Sequence, residues 1–147
     1  MTRLTDADRD LIEHARTVCR EAYDPTGFDG ESAHIVAAAL RTDDGTVYDG
    51  VSLPASIGRA SVCAEPVAVG AAVADGVDPE TFDTVVAVAH PKPESDHDDV
   101  VAIPPCGVCR ELLVDYRPDL RVIVPEDEEG GPLTVECAVD LLPNRTW

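Results

Sequence analysis

The sequence predicts a three-layer α/β/α fold in which a mixed sheet of about five strands lies between helices. Three observations carry that expectation. The chain opens on a stretch with helical apolar spacing. Two short apolar runs flanking Asp43-Asp44-Gly45 then carry a hairpin pattern. Beyond them, β-rich apolar runs alternate with helical segments. At 147 residues and 44% hydrophobic content, the chain suits one domain, 1–147, with a core of its own.

The first helix is expected over residues 6–21, where Leu11, Ile12, Ala15, Val18, Cys19 and Ala22 recur at three- and four-residue steps. Thr5, with Asp8 after it, caps its start. Cys19 reads as a small core residue and His14 as a solvated one. Residues 23–30 read as a loop because of Pro25, Gly27 and Gly30. Residues 34–40 and 46–48 form the hairpin strands, although the alanines weaken the first by propensity. The segment 51–62, with Pro54 and Gly58, passes over the site and delivers Cys63. Pro66 suits the first turn of a helix that continues over 67–74. Residues 84–89 have the pattern of a strand buried on both faces. An acidic loop, 91–99, leads to a short strand at 100–103 and a helix over 111–115. A buried strand at 120–124, a charged turn at 126–131, a short edge at 133–135 and a last helix at 137–142 complete the chain.

The 29 acidic residues far outnumber the 11 basic ones, for a formal net charge of −18, and Lys92 is the single lysine. Such a surface repels phosphate backbones, because nucleic-acid binding draws most of its affinity from basic contacts. No nucleic-acid partner is expected. Many carboxylates with scarce lysine also suit a high-salt cytosol, beyond simple solubility. No run is long and apolar enough to span a membrane, and the N-terminus lacks a signal-peptide pattern, so a cytoplasmic location is expected. Five cysteines, an odd number, suit a reducing compartment.

The chemistry concentrates at two cysteine sites. Pro104-Pro105-Cys106-Gly107-Val108-Cys109-Arg110 opens a helix, and cysteines three apart at a helix start share one face, close enough to hold one ion. The exposed amides and helix dipole there stabilise thiolates. Cys63-Ala64-Glu65-Pro66 is the second site, again at a helix start, with a carboxylate two residues after the cysteine. Three cysteines, with a glutamate beside the metal and not on it, describe a zinc site with a fourth position for water. That is a catalytic arrangement.

Cys-Ala-Glu followed at a distance by Pro-Cys-x-x-Cys-Arg resembles the cytidine deaminase superfamily, in the branch with three cysteine ligands. The similarity extends to residues 36–40, Asp44-Gly45, Tyr48-Asp49-Gly50 and Leu141-Leu142-Pro143, nearly the whole chain, and is weakest over 91–99. The resemblance implies a cytidine-deaminase-like fold, with zinc held by Cys63, Cys106 and Cys109. It implies hydrolytic deamination of a free cytosine nucleoside, with Glu65 taking a proton from water, giving it to the pyrimidine ring and then protonating the departing ammonia. It also implies a homotetramer with sites completed across subunits, and it places Ala64 beside the substrate. Many relatives carry an arginine directly after the glutamate that offsets the thiolate charge. Here that position is Pro66, so Arg110 is expected to supply the offset, the alternative being a salt bridge with Glu111 or Asp115.

Other readings compete at these residues. Glu65 alone would suit a helix-start carboxylate favoured by the dipole. A redox pair at Cys106 and Cys109 leaves Cys63-Ala64-Glu65 without a role. A closed structural zinc site needs a fourth ligand, for which Cys137 and His90 are the candidates.

Substrate recognition departs from the family. Cytidine deaminases carry an Asn and a Glu that grip the ribose hydroxyls, and the family spacing back from Cys63 lands on Ser52 and Pro54. The Phe that packs near the base falls on His34, read here as a packed strand residue or a substrate contact. Blasticidin-S deaminases are a second resemblance, which makes a modified or antibiotic aminopyrimidine nucleoside the alternative substrate. A zinc-binding protein of the same fold without catalysis is a further alternative. Trp147 closes the chain where relatives place an aromatic near the base, or else serves as terminal packing. Pro54 cannot accept a side-chain hydrogen bond, so selectivity is expected to rest on the ring more than on the sugar.

Overall fold

The computed structural model describes residues 2–147. Its elements run α1 (Asp6–Ala22), β1 (Asp24–Phe28), β2 (Glu31–Ala33), β3 (Val36–Thr42), β4 (Val47–Val51), α2 (Ala64–Ala74), β5 (Phe82–Ala89), β6 (Val101–Ile103), α3 (Gly107–Tyr116), β7 (Arg121–Pro125) and β8 (Leu133–Cys137). The main sheet has the order β4-β3-β5-β7-β8, and β6 pairs with the end of β5. The β5–β7 pair is parallel and the other pairs are antiparallel. The sheet is therefore mixed, as the sequence predicts, with β6 as a short sixth strand.

Period-two alternation along the central strands makes the three layers. Ala37 and Ala39 of β3, Val86 and Val88 of β5, and Ile123 of β7 pack with Leu11, Ile12, Ala15 and Cys19 of α1. Their neighbours Ala38, Leu40, Val85, Ala87, Val122 and Val124 pack on the opposite face with α2 and α3. The alanines that weakened β3 by propensity are all fully buried. Their small side chains let helices approach the sheet on both sides, so packing overrides propensity.

Thr5 and Asp8 close a reciprocal capping box at the start of α1. Asp8 is also fully buried and takes hydrogen bonds from Arg121 Nη2 (2.7 Å) and Arg41 Nη2 (3.1 Å). Arg41 in turn reaches Asp83 Oδ2 at 2.6 Å. Burial alone would raise the Asp8 carboxyl, but the hydrogen bonds from Arg121, Thr5 and Arg41 outweigh it and hold the group well below the usual carboxylate range. One side chain thus fastens the first turn of α1 to β3 and β7. His14, read as solvated, pairs at the surface with Asp49 Oδ1 at 2.6 Å.

Three expectations need correction. Residues 23–30 are not a plain loop: β1 and β2 form a hairpin turning at Asp29 and Gly30, whose φ values are 51° and 81°. Pro25 and Gly27 within β1 mask a strand by composition, whereas Asp-Gly at a left-handed turn favours the hairpin. His34 is not in a strand, because its φ of 54° breaks the backbone between β2 and β3. The last helix is a single 3-10 turn at Ala138–Leu141, held by Ala138 donating to the Leu120 carbonyl. No helix among the described residues is long and apolar enough to cross a membrane.

Candidate active site

Two helix N-termini meet at the site. Cys63 is the N-cap of α2 and Cys106 the N-cap of α3, while Glu65 and Cys109 occupy the first turns of the same two helices. Cys63 and Cys106 are brought together because β4 and β6, which precede these helices, belong to one sheet. Their Sγ atoms lie 3.5 Å apart, as do those of Cys106 and Cys109. All three sulfurs fall within 4.8 Å of one another. Tetrahedral zinc with ordinary Zn–S bonds sets sulfurs about 3.8 Å apart, so this donor set fits the metal.

Neither candidate for a fourth protein ligand joins the group. His90 stacks on Tyr23 with ring centroids 3.7 Å apart, and Cys137 ends β8. The redox-pair reading is also poorly matched, because Cys63 is as close to Cys106 as Cys109 is.

The three thiols differ in their surroundings. Burial raises Cys63, helped by its hydrogen bond with Cys106. Burial would raise Cys106 too, but hydrogen bonds from the Cys109 amide and from the other two thiols outweigh it and lower this thiol. Cys109 is pushed far up, first by burial and then by the Glu65 carboxylate. Its Sγ donates to Glu65 Oε2 at 3.3 Å. A metal ion displaces such thiol protons when it binds.

Glu65 is 4% exposed, yet it lines a cavity of about 410 Å³ together with Cys63 and Cys106. That volume suits a small organic ligand. Ser52 and His34 share the wall, and Leu53, Pro54 and Val62 supply much of its apolar remainder. Ala64 is fully buried behind Cys63 and does not line the cavity. Trp147 lies outside it, exposed, with Nε1 donating to Glu111 at 3.3 Å. Arg110 makes no salt bridge with Glu111 or Asp115. It donates to the carbonyls of Pro105 (2.9 Å) and Leu141 (3.1 Å), so it clasps the loop immediately before Cys106. Ser32 of β2 is a wall residue that sequence reasoning did not single out. The signal for it was Asp29-Gly30, the hairpin turn that carries β2 back toward the site.

The model of the cytidine and deoxycytidylate deaminase zinc-binding region matches residues 5–125. The chain belongs to that family. Blasticidin-S deaminase from Bacillus cereus is 36% identical over 140 residues, 95% of this chain and 92% of that protein. Cytidine deaminase from Sporosarcina psychrophila is 32% identical over 106 residues, 72% of this chain and 67% of that protein. The crystal structure of cytidine deaminase from Burkholderia pseudomallei matches with a TM-score of 0.71 and 30% identity, covering 97% of this chain and all of that one. The recognition and fold expected from the motifs therefore hold. This member of the deaminase family is a zinc enzyme of the cytidine-deaminase type, and the non-catalytic alternative falls away.

Proposed function

We propose that this deaminase hydrolyses the exocyclic amine of a free cytosine nucleoside, converting cytidine or deoxycytidine to the uracil nucleoside and ammonia. The observation that carries the reading is Glu65: a buried carboxylate on the wall of a ligand-sized cavity, beside the three-sulfur group and outside it. Cys63, Cys106 and Cys109 hold the metal. When bound, zinc supplies the Lewis acidity that makes hydroxide available near neutral pH. Glu65 accepts the water proton at a carboxylate oxygen and passes it to the ring nitrogen. It then takes the proton of the hydroxyl newly formed on the ring carbon and delivers it to the amine, which leaves as ammonia as the carbonyl forms. Burial excludes bulk water from that carboxylate, so the proton it takes up is delivered to the substrate. Arg110 holds the Pro105 carbonyl and with it the entry of Cys106 into the site.

A net charge of −18 supports a free nucleoside over a nucleic acid. Exposed Leu53 and Val62 on the cavity wall, with Ile57 and Val108 exposed elsewhere, support assembly of copies into a homotetramer. The same acidic surface supports a cytoplasm of high salt. A second reading, a modified or antibiotic aminopyrimidine nucleoside, is favoured by the blasticidin-S deaminase relative and by Pro54 in the wall. Ammonia release from cytidine, deoxycytidine, cytosine and blasticidin S, each at low and high salt, decides between the two. Turnover of cytidine and deoxycytidine supports the first reading, and turnover of blasticidin S alone replaces it with the second.

A further inference from the structure

We propose that His34 determines sugar specificity in this site, its Nε2 accepting a hydrogen bond from a hydroxyl of the substrate's sugar. The inference rests on the nucleoside-deaminase reading above and deepens it. His34 lines the cavity, and its Nδ1 lies 2.8 Å from the Ser52 carbonyl oxygen. A carbonyl only accepts, so Nδ1 carries the proton and donates it. In the neutral imidazole this leaves Nε2 as a bare acceptor.

The rest of the wall is either apolar or already engaged. Ser32 Oγ bonds with the Tyr23 hydroxyl (3.2 Å) and reaches the Pro25 carbonyl. Ser61 Oγ takes the Ala55 amide proton at 3.1 Å and faces the Ala55 carbonyl. Ser52 Oγ is already engaged, accepting from the Val36 amide at 3.1 Å. Among the described side chains of the wall away from the sulfurs and Glu65, His34 Nε2 is the acceptor without a protein partner. With the amino end of the ring held against Glu65 and the sulfur group, the sugar meets the remaining wall, and its donors find His34.

The backbone at His34 points the same way. A φ of 54° is uncommon for a residue other than glycine, and strain of this kind is retained where the surroundings impose it. Here the flanking residues secure it: Ser52 donates its amide to the Val36 carbonyl at 2.9 Å, and the His34 ring bonds back to the Ser52 carbonyl. The left-handed turn and the bond to the Ser52 carbonyl together hold the ring at the cavity wall, with Nε2 on its unbonded edge.

The test uses the zinc-loaded protein. Wild type is expected to prefer cytidine over one of its 2′-, 3′- or 5′-deoxy analogues by about tenfold in kcat/KM, the scale of one neutral hydrogen bond. His34→Gly removes the ring without straining the backbone and should erase that preference by raising KM for cytidine, with kcat and the analogue's KM held. His34→Asn tolerates the left-handed backbone and keeps an acceptor, so it should restore part of the preference. A second measurement does not depend on turnover. With only four histidines in the chain, ring ¹⁵N spectra of the Glu65→Gln protein should show His34 protonated on Nδ1, with Nε2 shifting when cytidine saturates the site. A preference that survives in His34→Gly, or a saturated site with an unmoved Nε2 signal, overturns the proposal while leaving the deaminase reading intact. Failure of cytidine and its analogues to bind or react overturns both.

Discussion

Gly50 of β4 lies flat against the first turns of α2: a β-carbon on it would come 2.3 Å from the Ala64 carbonyl oxygen and 2.4 Å from the Ala68 amide nitrogen. Both obstacles are backbone, so neither can swing aside. This contact seats the helix whose N-cap is Cys63 and whose first turn carries Glu65. The absence of a side chain at one strand position thereby sets the depth of half the candidate site.

Gly50→Ala should lift α2 from the sheet and cost about 1–3 kcal/mol, the usual range for overpacking a filled interior. Zinc content and turnover should fall in the same variant, because Cys63 and Glu65 move with the helix. Thermal unfolding and metal analysis check this. A variant with wild-type Tm and full zinc would show that the sheet yields instead.

Purified protein should hold about one zinc per chain, and Cys63→Ala, Cys106→Ala and Cys109→Ala should each lose it. Cys19→Ala and Cys137→Ala should retain it. Cys19 is buried against α1's neighbours, with Sγ donating to the Ile35 carbonyl at 3.4 Å, and Cys137 lies outside the three-sulfur group. Atomic absorption on the five variants is sufficient, and full zinc in the Cys109 variant would contradict the assignment.

Glu65→Gln preserves size while removing the proposed proton carrier. Zinc and fold should be kept, and turnover on the identified substrate should fall by at least about a hundredfold, the lower range for general acid–base catalysis. Loss of zinc instead would make Glu65 a ligand or an anchor for the sulfur group.

Asp8→Asn should destabilise the protein by about 3 kcal/mol, the lower end for a buried ion pair that loses one partner. Its carboxyl is held well below the ordinary range, so the stability it contributes is fully present above the unfolded value near pH 4 and is lost progressively as pH falls toward the folded value. Denaturant titrations of both proteins from pH 7 to pH 2 should therefore show the gap narrowing only below about pH 4. A gap that is constant across the range would mean that the capping box, and not the charge, is what Asp8 supplies.

Features set by neighbours a few residues apart were legible from the sequence alone. The Thr5–Asp8 box, the Cys106–Cys109 spacing and Pro66 in the first turn of α2 arise from local backbone geometry, and the unbroken apolar run of β5 marks a strand that needs cover on both faces. Resemblance to a known family then supplied the chemistry those local patterns serve. What the tertiary structure alone decided lies between residues far apart in the chain. Cys63 meets Cys106 across 43 positions, Asp8 meets Arg121 across 113, and Gly50 meets α2 at a depth no spacing rule reports. The left-handed turn at His34 and its bond to Ser52 belong to the same class. Local propensity acts over a turn or two of backbone, whereas these contacts depend on strand order and register, which are settled only when the whole sheet is packed between its helices.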